Sequence, residues 1–120
     1  MEPELGFVYI QAKVSGPKAE EEVRFLVDSG AKYSLLPKRI WQRIGLRAKR
    51  TETFVLTDGT FIDRDVSECL FNVLGREGHS TVILGEAKDK ALLGVITLET
   101  LGMILNPFTR ELQPMQLILA

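Results

Sequence analysis

Residues 25–37 read FLVDSGAKYSLLP. An apolar run, Phe25 to Val27, ends in a single aspartate, Asp28. Ser29, Gly30 and Ala31 follow, and Leu35-Leu36 restores apolar character before Pro37 closes the segment. Gly30 permits a sharp turn and brings unshielded N–H groups close to the carboxylate. Ser29 adds a hydroxyl that donates or accepts, and Ala31 leaves room beside the acid. A carboxylate that is rigid yet accessible meets the requirements of an acid–base group. A structural Asx turn meets them too, so these four residues alone leave both readings open.

The flanking segments read as strands. Residues 7–14 alternate and contain Phe7, Val8, Tyr9 and Ile10, which predicts a strand. SGPKAEEE then supplies turn residues and a solvated acidic run. Val23, Phe25 and Val27 share one face of the next strand, with Arg24 and Leu26 on the other. The two strands form a hairpin that delivers the chain to Asp28. Beyond the loop, Pro37 suits the first position of a short helix, PKRIWQRIGL, and Gly45 suits its C-terminal cap. TETFVL and TFIDRDV flank Asp58-Gly59, a strong short-range signal for a β-hairpin. Further strands are expected at SECLFNVLG and HSTVILG, a second short helix at TLETLG, and a final strand at MQLILA. The pattern of Trp41, Ile44, Gly45 and Leu46 is repeated by Leu98, Leu101, Gly102 and Met103. Each copy follows an apolar strand ending near glycine. Two halves of a pseudo-symmetric fold would give this echo, and so would chance, since glycine often ends a short helix.

The 120 residues suffice for one compact domain, spanning 1–120. Apolar residues make up 45% and charged residues 26%, the profile of an ordinary globular protein. A net charge of -1 gives no global field directed at nucleic acid or an anionic membrane. The basic cluster of Lys38, Arg39, Arg43, Arg47, Lys49 and Arg50 has Ile40, Trp41 and Ile44 interleaved at helical spacing, which reads as the solvated face of a helix. Cys69 is the only cysteine and His79 the only histidine, so neither an internal disulfide nor a zinc set is expected. Cys69 reads as a half-buried strand cysteine in preference to a nucleophile using His79 as base. No signal-peptide pattern and no bilayer-length apolar run is present, and the expected location is cytoplasmic. No cofactor and no metal is expected.

Three features stand in order: Asp28-Ser29-Gly30-Ala31, the hairpin at Asp58-Gly59, and Leu92-Leu93-Gly94 after a second apolar strand. In this order and approximate spacing they resemble the retroviral-type (retropepsin-like) aspartic proteases. There the catalytic loop is Asp-Thr/Ser-Gly-Ala, a hairpin flap closes over it, and an apolar-apolar-Gly segment precedes the C-terminal helix. The stretch TVILG, residues 81–85, resembles the strand before the family's substrate-lining loop. The resemblance spans residues 7–108, and the tail is closer to cellular, non-viral members. Two departures stand out. Lys32, Tyr33 and Val95 occupy positions where viral members often carry acids and an arginine that brace the dimer, and Asp58 makes the flap tip polar.

The resemblance implies an all-β, half-barrel acid-protease fold with one or two short helices and pseudo-two-fold character, assembled as a homodimer. It implies a homodimeric aspartic endopeptidase that hydrolyses peptide or protein substrates. Asp28 would be catalytic, supported by Ser29 and Gly30. Ala31, Thr57, Asp58, Gly59, Thr60 and Leu92 would contact substrate. Two carboxylates sharing a proton are needed. The chain holds one such triplet, so the second carboxylate would come from a second copy. The MQLILA segment would pair across the interface. The alternative is a catalytically idle member used for dimerisation or peptide binding.

Overall fold

The structure, a computed structural model, describes residues 7–119. Strands β1 (Val8–Ser15) and β2 (Glu20–Val27) form the expected antiparallel hairpin, and β2 delivers the chain to Asp28. After the Asp28 loop come the short β3 (Ser34–Leu36) and helix α1 (Lys38–Ile44). Pro37 stands just before the helix with φ −66°, and Gly45 ends it in the left-handed conformation, φ 85°. The chain continues through β4 (Arg50–Val55), β5 (Phe61–Val73), β6 (Arg76–Leu84) and β7 (Leu92–Leu93). Helix α2 (Val95–Thr100) follows, then β8 (Met103–Leu105) and β9 (Leu112–Pro114).

The main sheet has the order β1-β2-β7-β3-β6-β5-β4, and β1 also pairs with β5. That extra pairing closes six strands into a ring and leaves β4 outside it, strand-paired only with the front half of β5. Phe25, Phe71, Leu36, Ile44, Leu93, Val14, Val73 and Val82 are fully buried side chains of the core. The strand order is unchanged when β1 is exchanged with β5, β2 with β6, β3 with β7 and α1 with α2. Strand directions obey the same exchange: β2–β7 and β3–β6 are parallel pairs, whereas β3–β7 and β1–β5 are antiparallel. The repeated helix–glycine pattern is thus the trace of a pseudo-two-fold, with Gly45 and Gly102 both at positive φ.

Three expectations need correction. TFIDRDV and SECLFNVLG form one continuous strand, β5. Asp63 and Asp65 do not interrupt it, because cross-strand hydroxyls of Thr53 and Thr51 hydrogen-bond their carboxylates at 2.7 and 2.8 Å. MQLILA is not a strand over residues 115–119, and Ala120 lies outside the described residues. Among the described residues the last strand is β9, which pairs with β8, and no strand pairs with Leu117, Ile118 and Leu119, which are 76%, 85% and 101% exposed. Cys69 is buried rather than half-buried.

Candidate active site

Asp28 follows the last residue of β2, half-buried, at the point where β2 lies beside β7. Its N–H donates to the Leu93 carbonyl at 3.0 Å, which anchors the loop to the neighbouring strand. The Gly30 N–H donates to Asp28 Oδ1 at 2.9 Å, and the Ala31 N–H donates to the Asp28 carbonyl at 3.1 Å. A Cβ at position 30 would stand 3.3 Å from Oδ1, so glycine keeps the carboxylate uncrowded. Ser29 and Gly30 are exposed and Ala31 is half-buried.

Helix α2 holds the loop from below. Its first N–H groups, on Val95 and Ile96, donate to the carbonyls of Ala31 and Lys32 at 2.9 and 3.0 Å. These are N–H groups that a helix cannot satisfy internally. Gly94 allows the approach, since a Cβ there would lie 2.5 Å from the Tyr33 carbonyl carbon. Beneath the loop lies a buried hydroxyl network. Thr97 Oγ1 is 2.6 Å from Ser34 Oγ and 2.8 Å from Ser80 Oγ, and Ser34 Oγ accepts the Gly94 N–H at 2.9 Å.

The β4–β5 hairpin ends in a three-residue loop. Gly59 N–H donates to Leu56 O at 2.9 Å, Leu56 N–H donates to Thr60 O at 2.8 Å, and Gly59 has φ 88°. This is the turn-plus-bulge form of a hairpin, with glycine at the left-handed position. Asp58 Oδ1 accepts from the Thr60 hydroxyl at 2.7 Å and from the Thr60 N–H at 3.0 Å, and these bonds hold the carboxyl below the usual range. Val55, Leu56 and Phe61 flank the tip and are 64%, 47% and 73% exposed. Sequence reasoning named only the polar tip, Thr57 to Thr60. The apolar residues immediately beside the Asp-Gly pair were the available signal for the rest.

The expected site residues fall into two groups. Asp28, Ser29, Gly30 and Ala31 share one loop. Leu92 stands next to the Leu93 carbonyl that anchors it, in register with Leu26 and Leu35. Thr57, Asp58, Gly59 and Thr60 lie at the hairpin tip, and the two groups are joined through the arm of the hairpin. Tyr33 packs edge-on against Phe54 of β4, with ring centroids 5.9 Å apart. Arg64 of β5 pairs with Glu86 at 3.1 Å, tying the hairpin to the 85–91 loop, and Trp41 Nε1 donates to the Gly85 carbonyl at 2.8 Å. Tyr33, one of the positions that departs from the viral pattern, thus becomes a contact between the loop and the hairpin arm. Among the described residues no group of three or more His, Cys, Asp or Glu is placed to hold a metal, and no helix is long and apolar enough to cross a membrane.

The model of a family described as aspartyl protease matches residues 10–95, a span holding the Asp28 loop, the hairpin and Leu92-Leu93-Gly94. The chain belongs to the aspartyl protease family. Among solved structures, this aspartyl protease is similar to EIAV protease complexed with the inhibitor HBY-793. The identity is 16%, with 94% of this chain and 93% of that one covered, at a TM-score of 0.61. It is also similar to the simian foamy virus (mac) protease, with 22% identity, 76% and 91% coverage and a TM-score of 0.56. At these identities the likeness establishes the retropepsin-like fold. No curated protein sequence matches the chain.

Proposed function

We propose that the protein is an aspartic endopeptidase whose working unit is a two-fold homodimer, with the Asp28 carboxylates of two chains forming one catalytic dyad. The observation that carries this reading is the placement of Asp28. It directly follows a core strand, its backbone is anchored to Leu93, and one carboxylate oxygen is oriented by the Gly30 N–H. The internal pseudo-symmetry supplies no second acid at the position equivalent to Asp28, because the residue directly after β6 is Gly85. The partner carboxylate must therefore come from another copy. The exposed, unpaired Leu117-Ile118-Leu119 segment supports this, as an apolar stretch available for strand pairing with a partner.

Two adjacent carboxylates cannot both ionise cheaply, so they share a proton and titrate as a pair. The ionised member takes a proton from a water, whose oxygen attacks the scissile carbonyl carbon. The protonated member gives its proton to the carbonyl oxygen. The resulting tetrahedral diol collapses as a proton passes to the leaving nitrogen, which releases a carboxylic acid and an amine. Substrate lies extended beneath the β4–β5 hairpin and adds to it as a strand. Thr57, Asp58, Gly59 and Thr60 at the tip, and Ala31 and Leu92 near the acid, contact it. The exposed Val55, Leu56 and Phe61 offer apolar surface to its side chains. The inhibitor-bound state of the EIAV protease supports a ligand cleft in this fold.

The test compares native protein with Asp28→Asn on a broad peptide library from acidic to neutral pH, with melting temperatures in the same buffers. The expected result is a loss of cleavage by several orders of magnitude in a variant that still folds. Equal cleavage by both proteins contradicts the mechanism. No cleavage by the native chain favours the idle dimerisation or peptide-binding module.

A further inference from the structure

A groove of about 690 Å³ lies where the β1–β2 turn meets the α1–β4 connection and the middle of β5. It adjoins the N-terminal end of β2, whereas Asp28 follows the C-terminal end, roughly 26 Å away along an eight-residue strand. Its size falls within the range of small-molecule sites. Pro17, Leu46, Cys69 and Leu70 give it apolar walls, and Leu46 and Cys69 belong to the packed core.

The walls are fixed by backbone. Lys18 N–H donates to the Ile44 carbonyl at 3.0 Å. A Cβ on Gly16 would meet that same carbonyl oxygen at 2.4 Å, and one on Gly45 would meet the Lys18 Cγ at 2.6 Å. The Lys18 stem therefore lies against Gly45. Lys18, Arg47, Lys49 and His79 line the groove beside one acid, Glu68, which is paired with Lys49 at 3.3 Å. Among the described residues, neither Lys18 nor Arg47 has an ion-pair partner. Two uncompensated cations thus stand at the edge of an apolar concavity. Charge complementarity there selects an anionic head, and the walls select an apolar body.

We propose that this groove binds a small amphiphilic anion, a carboxylate or phosphate carried on an apolar chain, at a site separate from the Asp28 loop. The test titrates the full chain with decanoate and with decyl phosphate below their micelle-forming concentrations. Backbone amide shifts are followed by NMR, with 1-decanol and inorganic phosphate as comparison probes. Saturable shifts centred on residues 16–18, 45–49 and 67–70 are expected with either amphiphile, and the tighter of the two identifies the head group. The double variant Lys18→Glu/Arg47→Glu should bind at least tenfold more weakly, and Arg47→Glu alone should weaken binding by a smaller factor. Lys88→Glu, on the 85–91 loop and equal in charge change to Arg47→Glu alone, should bind like the native chain. The proposal is overturned if the shifts centre elsewhere or if charge reversal leaves affinity unchanged. Decanol binding as tightly as decanoate removes the anionic head from it. Inorganic phosphate binding as tightly as decyl phosphate removes the apolar body.

Discussion

The Tyr33 ring meets the Phe54 ring edge-on, with centroids 5.9 Å apart and planes at 89°. Tyr33 lies five residues along from Asp28 on the loop side, and Phe54 lies on β4, the strand outside the closed ring. Neighbouring Arg50 is held above its ordinary pKa chiefly by its hydrogen bond to Glu52, and the Tyr33 phenol adds in the same direction. The pair connects the loop to the hairpin arm. A double-mutant cycle of Tyr33→Leu and Phe54→Leu should give a coupling energy of about 1 kcal/mol in urea unfolding. A coupling of zero would mean the rings are neighbours without interaction.

Thr97 joins Ser34 and Ser80 in a buried network beneath the loop. Thr97→Val keeps the shape but deprives two buried hydroxyls of a partner. It should destabilise the fold by about 1–3 kcal/mol, whereas Thr97→Ser should recover most of that. If the valine variant unfolds at the native denaturant midpoint, the network is not a source of stability.

Much of this arrangement is legible in the sequence because it rests on local chemistry. Pro37 and Gly45 mark the ends of α1, Asp58-Gly59 marks the hairpin, and an acid followed by Ser-Gly-Ala after an apolar strand marks the loop. The hydroxyl network is not legible, since Ser34 and Thr97 are 63 residues apart and a serine in a strand does not announce its partner. Nor is the Tyr33–Phe54 contact, which depends on how the hairpin arm leans over the loop. The apolar residues of the tail suggest a strand, but strand formation also needs a neighbour, and among the described residues none pairs with residues 115–119. The β8–β9 hairpin is not legible either, because its turn is organised by the Asn106 side chain, which accepts the N–H groups of Phe108 and Thr109 at 2.8 and 3.1 Å.

The two-residue turn between Val73 and Arg76 places Leu74 at φ 52° and Gly75 at φ 84°. Turns of this kind favour asparagine or glycine at the first position, and leucine there is strained by about 1–2 kcal/mol. Leu74 is also 65% exposed, so its side chain recovers little by burial. Leu74→Asn should therefore raise the melting temperature, by about 1 kcal/mol of added stability. A fall in melting temperature would show that Leu74 makes an apolar contact outweighing the strain.

Burial pushes the Cys69 thiol up to about 12 from an ordinary 9.0. The folded chain thus keeps a proton that the unfolded chain releases at lower pH. This contribution to stability is fully present below about pH 9 and is lost progressively as pH rises toward 12. Stability measured by urea unfolding across that window should fall more steeply for the native protein than for Cys69→Ala. Parallel slopes for the two proteins would show that the thiol is not desolvated.

The central claim is that one active site is built from Asp28 of two chains, and subunit mixing tests it most directly. Native protein is equilibrated with increasing Asp28→Asn at fixed native concentration, and peptide cleavage per native subunit is measured. Mixed dimers hold only one ionisable carboxylate, so a shared dyad predicts that activity per native subunit falls as the native fraction of the total falls. Activity per native subunit that stays constant, however much variant is added, would contradict the two-chain site.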